Sequence, residues 1–168
     1  RPGAPIANDT EPQNAVRRTW GGFRGLNNLG IGDASLTPPD QWNGETGENI
    51  RWRQSTELPG FSSPVICGDR LFVTGGDKTT RAMFCHDAGT GQLLWRTDVP
   101  TEKSNLEPPQ VTDDTGYAAA TPATDGTHLC AIFATGELVG LDFSGQLLWS
   151  KTLGVPKNAY GHASSLLI

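Results

Sequence analysis

The 168-residue sequence has no long apolar run, no excess of basic residues and no closely spaced pair of cysteines. No stretch approaches the roughly 18 consecutive apolar residues that a membrane-spanning helix needs. The 13 Lys and Arg residues are outnumbered by 18 Asp and Glu residues, for a formal net charge of -5. This balance gives the chain no electrostatic attraction for phosphate backbones or anionic lipid. We therefore expect no nucleic-acid partner and no membrane span.

The cysteines and histidines are too scattered to indicate a metal centre. The cysteines form no CxxC pair, which argues against a zinc knuckle or a thioredoxin-like site. Each lies in an apolar run, so we interpret all three as small buried hydrophobic residues, with a Cys67 to Cys85 disulfide as the alternative. The histidines have no nearby carboxylate or cysteine in a ligand pattern. These residues are Cys67, Cys85, Cys130, His86, His128 and His162.

Glycine and proline are abundant, with 21 and 12 residues, which favours many short strands separated by turns. Residues 1–48 are predicted to be an extended N-terminal arm followed by a glycine-rich clasp. The clasp begins at Trp20 with the sequence WGGFRGLNNLGIG, and its apolar side chains are expected to dock it on the rest of the molecule.

Residues 49–168 contain an internal repeat. Three stretches end alike around Trp52, Trp95 and Trp149, with the sequences ENIRWRQ, GQLLWRT and GQLLWSK. Two of them also match further back, because Pro64 and Pro122 each precede a leucine by seven residues. The intervals from proline to tryptophan are 31 and 27 residues, and the difference falls in turns, as expected for structural repeats.

Each repeat divides into four short runs bounded by turn residues. The first repeat has runs at 63–67, 70–75, 82–87 and 92–97, and the second has runs at 121–124, 128–134, 137–143 and 146–151. Runs of this length, with Gly-Asp, Asp-Gly or Thr-Gly between them, predict antiparallel four-stranded sheets joined by hairpins. Such sheets leave two apolar faces uncovered and are stable when stacked around an axis, as the blades of a β-propeller.

The predicted fold is therefore all-β, a partial propeller of four-stranded antiparallel blades at 62–98 and 120–152. Residues 49–54 are predicted to be a closing strand without inner strands of its own. Residues 162–168 are predicted to begin a third blade, because Ser165 corresponds to Ser63 and Thr121. A closed ring needs at least four blades, so we expect the rest of the propeller to come from the same polypeptide or from a second chain.

The turn before each repeated tryptophan resembles the Asp-x-x-Thr-Gly-x-x-x-Trp signature of PQQ-like (quinoprotein-type) propeller repeats. The second copy is one residue shorter and has serine for threonine. The sequence from Trp20 to Gly25 is similar to the Trp-x-x-Phe-Arg-Gly element that precedes many exported members. The resemblance implies a ring of seven or eight blades, with the tryptophans packed between them. The motif residues that it implies are Trp52, Asp87, Gly91, Trp95, Asp142, Gly145 and Trp149.

The same resemblance leaves three functions open. Some relatives are dehydrogenases that bind pyrroloquinoline quinone and Ca²⁺ on the propeller axis, typically with a disulfide of adjacent cysteines, which this sequence lacks. Others are scaffolds without a cofactor. We expect a non-catalytic, exported scaffold, periplasmic or extracellular, that binds a protein partner. The alternatives are a quinone- and calcium-dependent dehydrogenase whose catalytic blades lie outside this chain, and a propeller that binds carbohydrate or peptide.

Long loops at one end of the predicted blades suggest a partner surface. In an antiparallel four-stranded blade, the link between the second and third strands emerges on the same side as the link to the next blade. Both links are long, at 75–81 and 95–122, and the second is acidic. Binding residues often lie on such loops, although a plain solvated loop is an equal alternative. The candidate residues are Glu102, Glu107, Asp113, Asp114 and, near the channel, His162.

Overall fold

The fold is described from a computed structural model, for residues 19–101 and 110–168. These residues form two antiparallel sheets, and their one helical element is a short 3-10 turn at Leu26–Asn28. The predicted all-β class is confirmed. Among the residues described, no helix is long and apolar enough to cross a membrane.

The strands follow the repeat pattern of the sequence, with neighbours in the chain paired in each sheet. The first sheet contains β1 (Thr19–Trp20), β2 (Val65–Cys67), β3 (Arg70–Gly76), β4 (Arg81–Asp87) and β5 (Leu93–Asp98). The second sheet contains β6 (Ala123–Thr124), β7 (His128–Ile132), β8 (Glu137–Asp142) and β9 (Leu147–Thr152). The two sets of four strands predicted from the repeats are therefore both present.

The main core lies between the two sheets, because alternate side chains of each strand point toward the other sheet. Phe72 and Met83 of the first sheet and Leu129 and Val139 of the second are fully buried in it. Strand β4 is buried on both faces, and its opposite face contributes Phe84 to a smaller cluster with Leu58. Burying each large side chain contributes about 1.5 to 3 kcal/mol, so stacking the repeats is the main source of stability.

The clasp adds a fifth strand to the first sheet, which the sequence did not predict. Strand β1 pairs with β2 in the register Thr19 to Cys67 and Trp20 to Ile66. The expected docking through apolar side chains is only partly right, because Phe23 and Leu29 are exposed. The backbone of the clasp attaches it instead, because pairing as a strand with β2 satisfies the hydrogen-bonding groups of that backbone. Residues 1–18 of the predicted arm lie outside the described residues.

Two segments predicted as strands are not strands in the structure. Residues 49–54 and 162–168 have no paired strand beside them among the described residues. Hydrogen bonds nevertheless connect a residue of the second segment with the residues that the sequence repeat aligns with it. The backbone N–H of Ser63 donates to Thr121 Oγ1 at 3.1 Å, and that of Thr121 donates to Ser165 Oγ at 3.2 Å. The three residues aligned in the sequence are thus linked from one repeat to the next.

The cysteines are three free thiols, so the alternative disulfide between Cys67 and Cys85 is not formed. Cys85 is buried in the main core, and Cys67 and Cys130 are half-buried. Burial raises the pKa of the Cys85 thiol to about 11. A thiol in such a site is neutral at ordinary pH and packs as a small apolar group.

Candidate functional site

The clearest contact between the two repeats is made by Trp95 of β5. Its indole Nε1–H donates a hydrogen bond of 3.1 Å to the carbonyl oxygen of Phe143, in the turn between β8 and β9. Gly145 of the same turn has a φ of +88°, and a Cβ atom on it would lie 2.7 Å from the indole. Only glycine gives both the backbone conformation and the space, so the turn and the tryptophan fit each other.

Trp52 makes the same contact with the first repeat. Its Nε1–H donates to the carbonyl oxygen of Ala88 at 3.0 Å, and a Cβ atom on Gly91 would lie 2.5 Å from its ring. Each tryptophan therefore binds the turn of the repeat that follows it. We use the term indole-binding turn for residues 87–91 and 142–145, which present a carbonyl oxygen and a glycine to the ring.

An aspartate holds each of these turns closed. Asp87 Oδ1 accepts hydrogen bonds from the N–H of Gly89 and from the N–H and hydroxyl of Thr90, at 2.7 to 3.0 Å. Asp142 Oδ1 accepts equivalent bonds from the backbone and hydroxyl of Ser144 and from the N–H of Gln146. Hydrogen bonds from Thr90 and Ser144 in particular lower the pKa of the two carboxyl groups. Serine therefore replaces threonine without loss of the turn.

A third turn of this kind, at residues 43–47, was missed in the sequence. Asn43 Oδ1 accepts from the N–H of Glu45 at 2.8 Å and of Thr46 at 3.0 Å, as Asp87 Oδ1 does in its own turn. The N–H of Gly47 donates to the Asn43 carbonyl at 2.9 Å, and Gly47 has a φ of +81°. The signal in the sequence is Asn-x-x-Thr-Gly, in which asparagine stands where the other turns have aspartate.

Trp149, the third repeated tryptophan, has no such turn against it among the described residues. Its side chain is 41% exposed. Its ring lies over Gly140 of the neighbouring strand, where a Cβ atom would come within 2.3 Å. Gly140 thus leaves the ring room to lie on its own sheet.

A buried polar network forms a second contact between the repeats, and sequence reasoning missed it. Arg81, at the start of β4, is 3% exposed and donates to Thr135 Oγ1 from Nε at 3.2 Å and from Nη2 at 2.9 Å. The Thr135 hydroxyl in turn donates to Glu137 at the start of β8, whose carboxylate lies 4.0 Å from Arg81 Nε. The Arg81 guanidinium also lies 4.6 Å from the ring centre of Tyr117. No local motif marks these residues, because they meet only when the sheets stack.

Only part of the predicted partner surface lies within the residues that the structure describes. Glu102 and Glu107 lie outside the described residues, and Asp113 and Asp114 are exposed in the turn at 113–117. Asp113 helps line a cleft of about 510 Å³ between this link and the β3–β4 hairpin, together with Phe61, Asp77, Lys78 and Tyr117. The two links expected at one end of the blade therefore meet. His162 does not line this cleft, and its Nε2 lies 3.0 Å from the Gly154 carbonyl oxygen.

A larger cleft of about 910 Å³ lies between the clasp and the hairpins at the other end of the first sheet. Its walls are largely apolar, and Arg51 and Asp69 lie among them. Three exposed apolar residues of the clasp region contribute, Leu29, Ile31 and Leu36.

The family described as "Outer membrane protein assembly factor BamB" matches residues 41–164, which is more than half of the chain. The chain belongs to this family. The likeness to PQQ-like repeats found in the sequence is thereby confirmed. The matched residues include all three repeated tryptophans and the turn at 43–47.

Among solved structures, the crystal structure of BamB from Moraxella catarrhalis matches with 20% sequence identity and a TM-score of 0.48. The match covers 68% of this chain and 33% of that one, so the present chain corresponds to about a third of its length. No curated protein matches the chain.

The carboxylates among the described residues are dispersed over separate turns. Calcium needs several oxygen ligands directed at one point. Among residues 19–101 and 110–168, no three His, Cys, Asp or Glu side chains are close enough together to hold a metal ion. The carboxylates of Asp77, Asp87, Asp125 and Asp142 each accept hydrogen bonds within their own turns.

Proposed function

We propose that this chain forms part of an exported, non-catalytic β-propeller that serves as a protein-interaction scaffold and needs no cofactor. Membership in the BamB family supports the scaffold role at the level of the family. The family description names an assembly factor for outer-membrane proteins, which supports a periplasmic location.

The observation that carries the proposal is the position of the clasp on the inner strands. The first strand of each blade lies innermost in a propeller, and its free edge faces the central channel. Strand β1 occupies that edge of β2, and the carbonyl oxygen of Gly21 accepts a 2.8 Å hydrogen bond from the N–H of Thr124 in β6. Gly22 continues toward Leu166, with 3.9 Å between its ideal Cβ position and the Leu166 carbonyl oxygen.

The backbone of the clasp pairs with two residues of β2 and accepts one hydrogen bond from β6. We infer that a ligand bound at this part of the inner edge would have to displace it. This favours a scaffold over a dehydrogenase. It also disfavours the alternative in which carbohydrate or peptide binds in the channel.

The partner surface that we propose is the 510 Å³ cleft beside the turn at 113–117. Phe61 is 53% exposed at its edge, so its ring is accessible to an apolar side chain of a partner. Asp77 and Asp113 line the cleft with one cation, Lys78, and Asp114 follows Asp113 in the sequence, so negative charge is in excess there. A basic segment of a partner protein with a large apolar side chain has the complementary chemistry.

Site-specific photo-crosslinking of the full-length protein in cells tests the scaffold role. A photoreactive residue at Phe61 should give one defined cross-linked protein, and the same residue at Thr127, exposed on the hairpin between β6 and β7, should not. The quadruple charge reversal of Glu102, Glu107, Asp113 and Asp114 should abolish the cross-link at Phe61. An unchanged cross-link after charge reversal would remove this surface from the proposal.

Incubation of the purified protein with pyrroloquinoline quinone and Ca²⁺ tests the enzymatic alternative. We expect no quinone absorbance to co-purify and no dye-linked oxidation of alcohols or sugars. Quinone-dependent activity that is lost on removing Ca²⁺ would replace the scaffold by a dehydrogenase. A screen with carbohydrates and peptides, read by thermal stabilisation, tests the third function.

A further inference from the structure

The cleft beside the turn at 113–117 has two walls, and one buried guanidinium contacts both of them. One wall is the hairpin turn between β3 and β4, at 77–80, and the other is the turn at 113–117 itself. Arg81 follows the hairpin turn directly and is 3% exposed. We propose that Arg81 positions both walls against the second repeat, so that the cleft binds its partner only while the two repeats are stacked. This role rests on the proposed function and adds to it the residue that controls the shape of the cleft.

The guanidinium holds the hairpin turn at 77–80 through the backbone of that turn. Arg81 Nη1 donates to the carbonyl oxygens of Asp77 and Thr80, in the second case at 3.2 Å. The turn is rigid in itself, because Asp77 Oδ1 accepts the backbone N–H of Thr79 at 2.7 Å and that of Thr80 at 2.8 Å. Contacts to two of its carbonyl oxygens therefore fix the position of this wall as a whole.

The same guanidinium lies against the second wall of the cleft. Its central carbon is 4.6 Å from the ring centre of Tyr117, a cation–π contact. The two walls approach each other at Gly76, where a Cβ atom would lie 3.0 Å from Arg81 Cδ and 3.3 Å from Tyr117 Cβ. A side chain at position 76 would press on both residues. Arg81 thus lies where the two walls meet and contacts each of them.

Two adjacent residues of the second repeat anchor this arrangement, in the turn between β7 and β8. Thr135 Oγ1 accepts hydrogen bonds from Arg81 Nε at 3.2 Å and from Nη2 at 2.9 Å. The backbone N–H of Ala134 donates to the carbonyl oxygen of Tyr117 at 3.0 Å. The Thr135 hydroxyl donates to Glu137, whose carboxylate balances the charge of the guanidinium. Both walls of the cleft therefore depend on a turn that reaches them only when the sheets stack.

These contacts require the planar fork of arginine. Nη1 of Arg81 is directed at the hairpin turn, whereas Nε and Nη2 are directed at Thr135. A lysine ammonium is a compact charge on a flexible stem and cannot hold acceptors on two sides at once. The side chain of Arg81 does not itself line the cleft. It is therefore a positioning residue, which acts on the partner surface through the residues that do.

Amide hydrogen exchange of the full-length protein, read by mass spectrometry, tests the positioning role without any partner. The double variant Arg81→Met with Glu137→Leu removes both buried charges and keeps apolar side chains of similar size, so the protein should remain folded. Exchange in the two walls, at 76–80 and 113–117, should nevertheless become about tenfold faster, because the hydrogen bonds of the guanidinium are lost. Exchange in β7 and β9 should remain as in the wild type.

Photo-crosslinking from position 61 provides the second readout. The double variant should lose the defined cross-linked protein, although every residue that lines the cleft is unchanged. Arg81→Lys keeps a cation beside Glu137 and loses the fork, so this variant should lose the cross-link as well. It also provides the test if the double variant does not fold.

Thr97→Val is the matched control for a lost hydrogen bond between the repeats. Thr97 Oγ1 donates to the carbonyl oxygen of Gly145 at 2.6 Å, and both Thr97 and Thr135 are half-buried. Valine keeps the shape of the side chain and removes its hydroxyl. Thr97 does not line the cleft. This variant should keep the wild-type exchange in both walls and the wild-type cross-link.

Unchanged exchange in the walls of the double variant would overturn the positioning role, whichever partner binds. Faster exchange in the walls with an unchanged cross-link would overturn it too, because the cleft would then bind without fixed walls. A wild-type protein that gives no cross-link contradicts the proposed partner surface, and the role of Arg81 in binding falls with it. The exchange rates distinguish that failure from the others, since they need no partner. Loss of the cross-link together with faster exchange in the walls, in the Arg81 variants and not in Thr97→Val, supports the proposal.

Discussion

A Cβ atom placed on Gly145 would lie 2.7 Å from the indole of Trp95, so the glycine of one repeat and the tryptophan of the repeat before it occupy complementary space. Real Cβ atoms do not approach a ring this closely. The contact therefore couples a turn conformation in the second sheet to the packing of the first. Its energy can be separated from the cost of backbone strain, because the chain contains other glycines with positive φ but without a neighbour.

Gly145→Ala is expected to destabilise the chain by about 1 to 3 kcal/mol more than Gly126→Ala, measured by urea unfolding. Both glycines have positive φ, so each substitution incurs about 1 kcal/mol of left-handed strain. Only the methyl group at position 145 meets an indole. In the Trp95→Ala background most of this excess should disappear, because only Thr97 Oγ1, 3.1 Å from the Cβ position, remains close to the methyl group. An excess cost at Gly145 that is undiminished without the indole would show that the indole is not the main obstacle.

Trp95→Ala should lower the free energy of unfolding by about 3 to 5 kcal/mol, as for other large aromatic truncations. The ring packs 6.0 Å from that of Phe72 and donates to Phe143. Trp42→Ala is the matched control, since Trp42 is mostly exposed and its loss should change stability by less than about 0.5 kcal/mol. Equal urea midpoints for the two variants would contradict the role of Trp95 in stacking the repeats.

The repeat made most of the fold predictable, because hairpin turns and short apolar runs are local signals. Asp87 and Asp142 each mark a turn within a few residues of sequence, and the turns fix where the strands begin and end. The turn at 43–47 was missed for a chemical reason. Asparagine at position 43 supplies the same Oδ1 acceptor as aspartate, so the turn forms with either residue. A sequence pattern that requires aspartate does not detect it.

The contacts between repeats were less predictable. Arg81 and Glu137 are far apart in the sequence and meet only because the two sheets stack. Such a contact produces no periodic pattern in the sequence. The pairing of β1 with β2 was also missed, because a two-residue strand formed by backbone hydrogen bonds carries no side-chain pattern. The clasp sequence predicted burial of Phe23 and Leu29, whereas the structure attaches it through the backbone of Thr19 to Gly21.

The buried network gives a prediction that depends on charge. Arg81→Ala leaves the Glu137 carboxylate buried without its cation and should cost about 3 to 5 kcal/mol in urea unfolding. The double variant Arg81→Met with Glu137→Leu removes both charges and should lie within about 1 kcal/mol of the wild type. Burial of Arg81 lowers the pKa of its guanidinium, in accordance with the cost of desolvation. A double variant as unstable as Arg81→Ala would indicate that packing, rather than charge, dominates at this position.

The aspartates of the turns predict a loss of stability in acid. Hydrogen bonds from Thr90 and Ser144 hold the pKa of Asp87 and Asp142 below the ordinary value of 3.8, and bonds from His128 lower that of Asp125 as well. A carboxyl group whose pKa is lower in the folded state stabilises the fold at pH values above its unfolded pKa. That contribution is lost as the pH falls through the folded value. The wild-type melting temperature should therefore fall steeply below about pH 4.

Replacing Asp87 and Asp142 by asparagine should flatten this acid dependence while leaving the turns intact, because Asn43 already holds an equivalent turn with an amide oxygen. The measurement is the melting temperature by circular dichroism from about pH 7 to about pH 2. The exposed carboxylate of Asp113 lies in a different turn, so Asp113→Asn is the control that should keep the wild-type profile. If the double asparagine variant loses stability in acid as steeply as the wild type, Asp87 and Asp142 are not the groups that set the acid dependence. The sign of the effect is fixed by the donors around each Oδ1, which bind the ionised carboxylate better than the protonated acid.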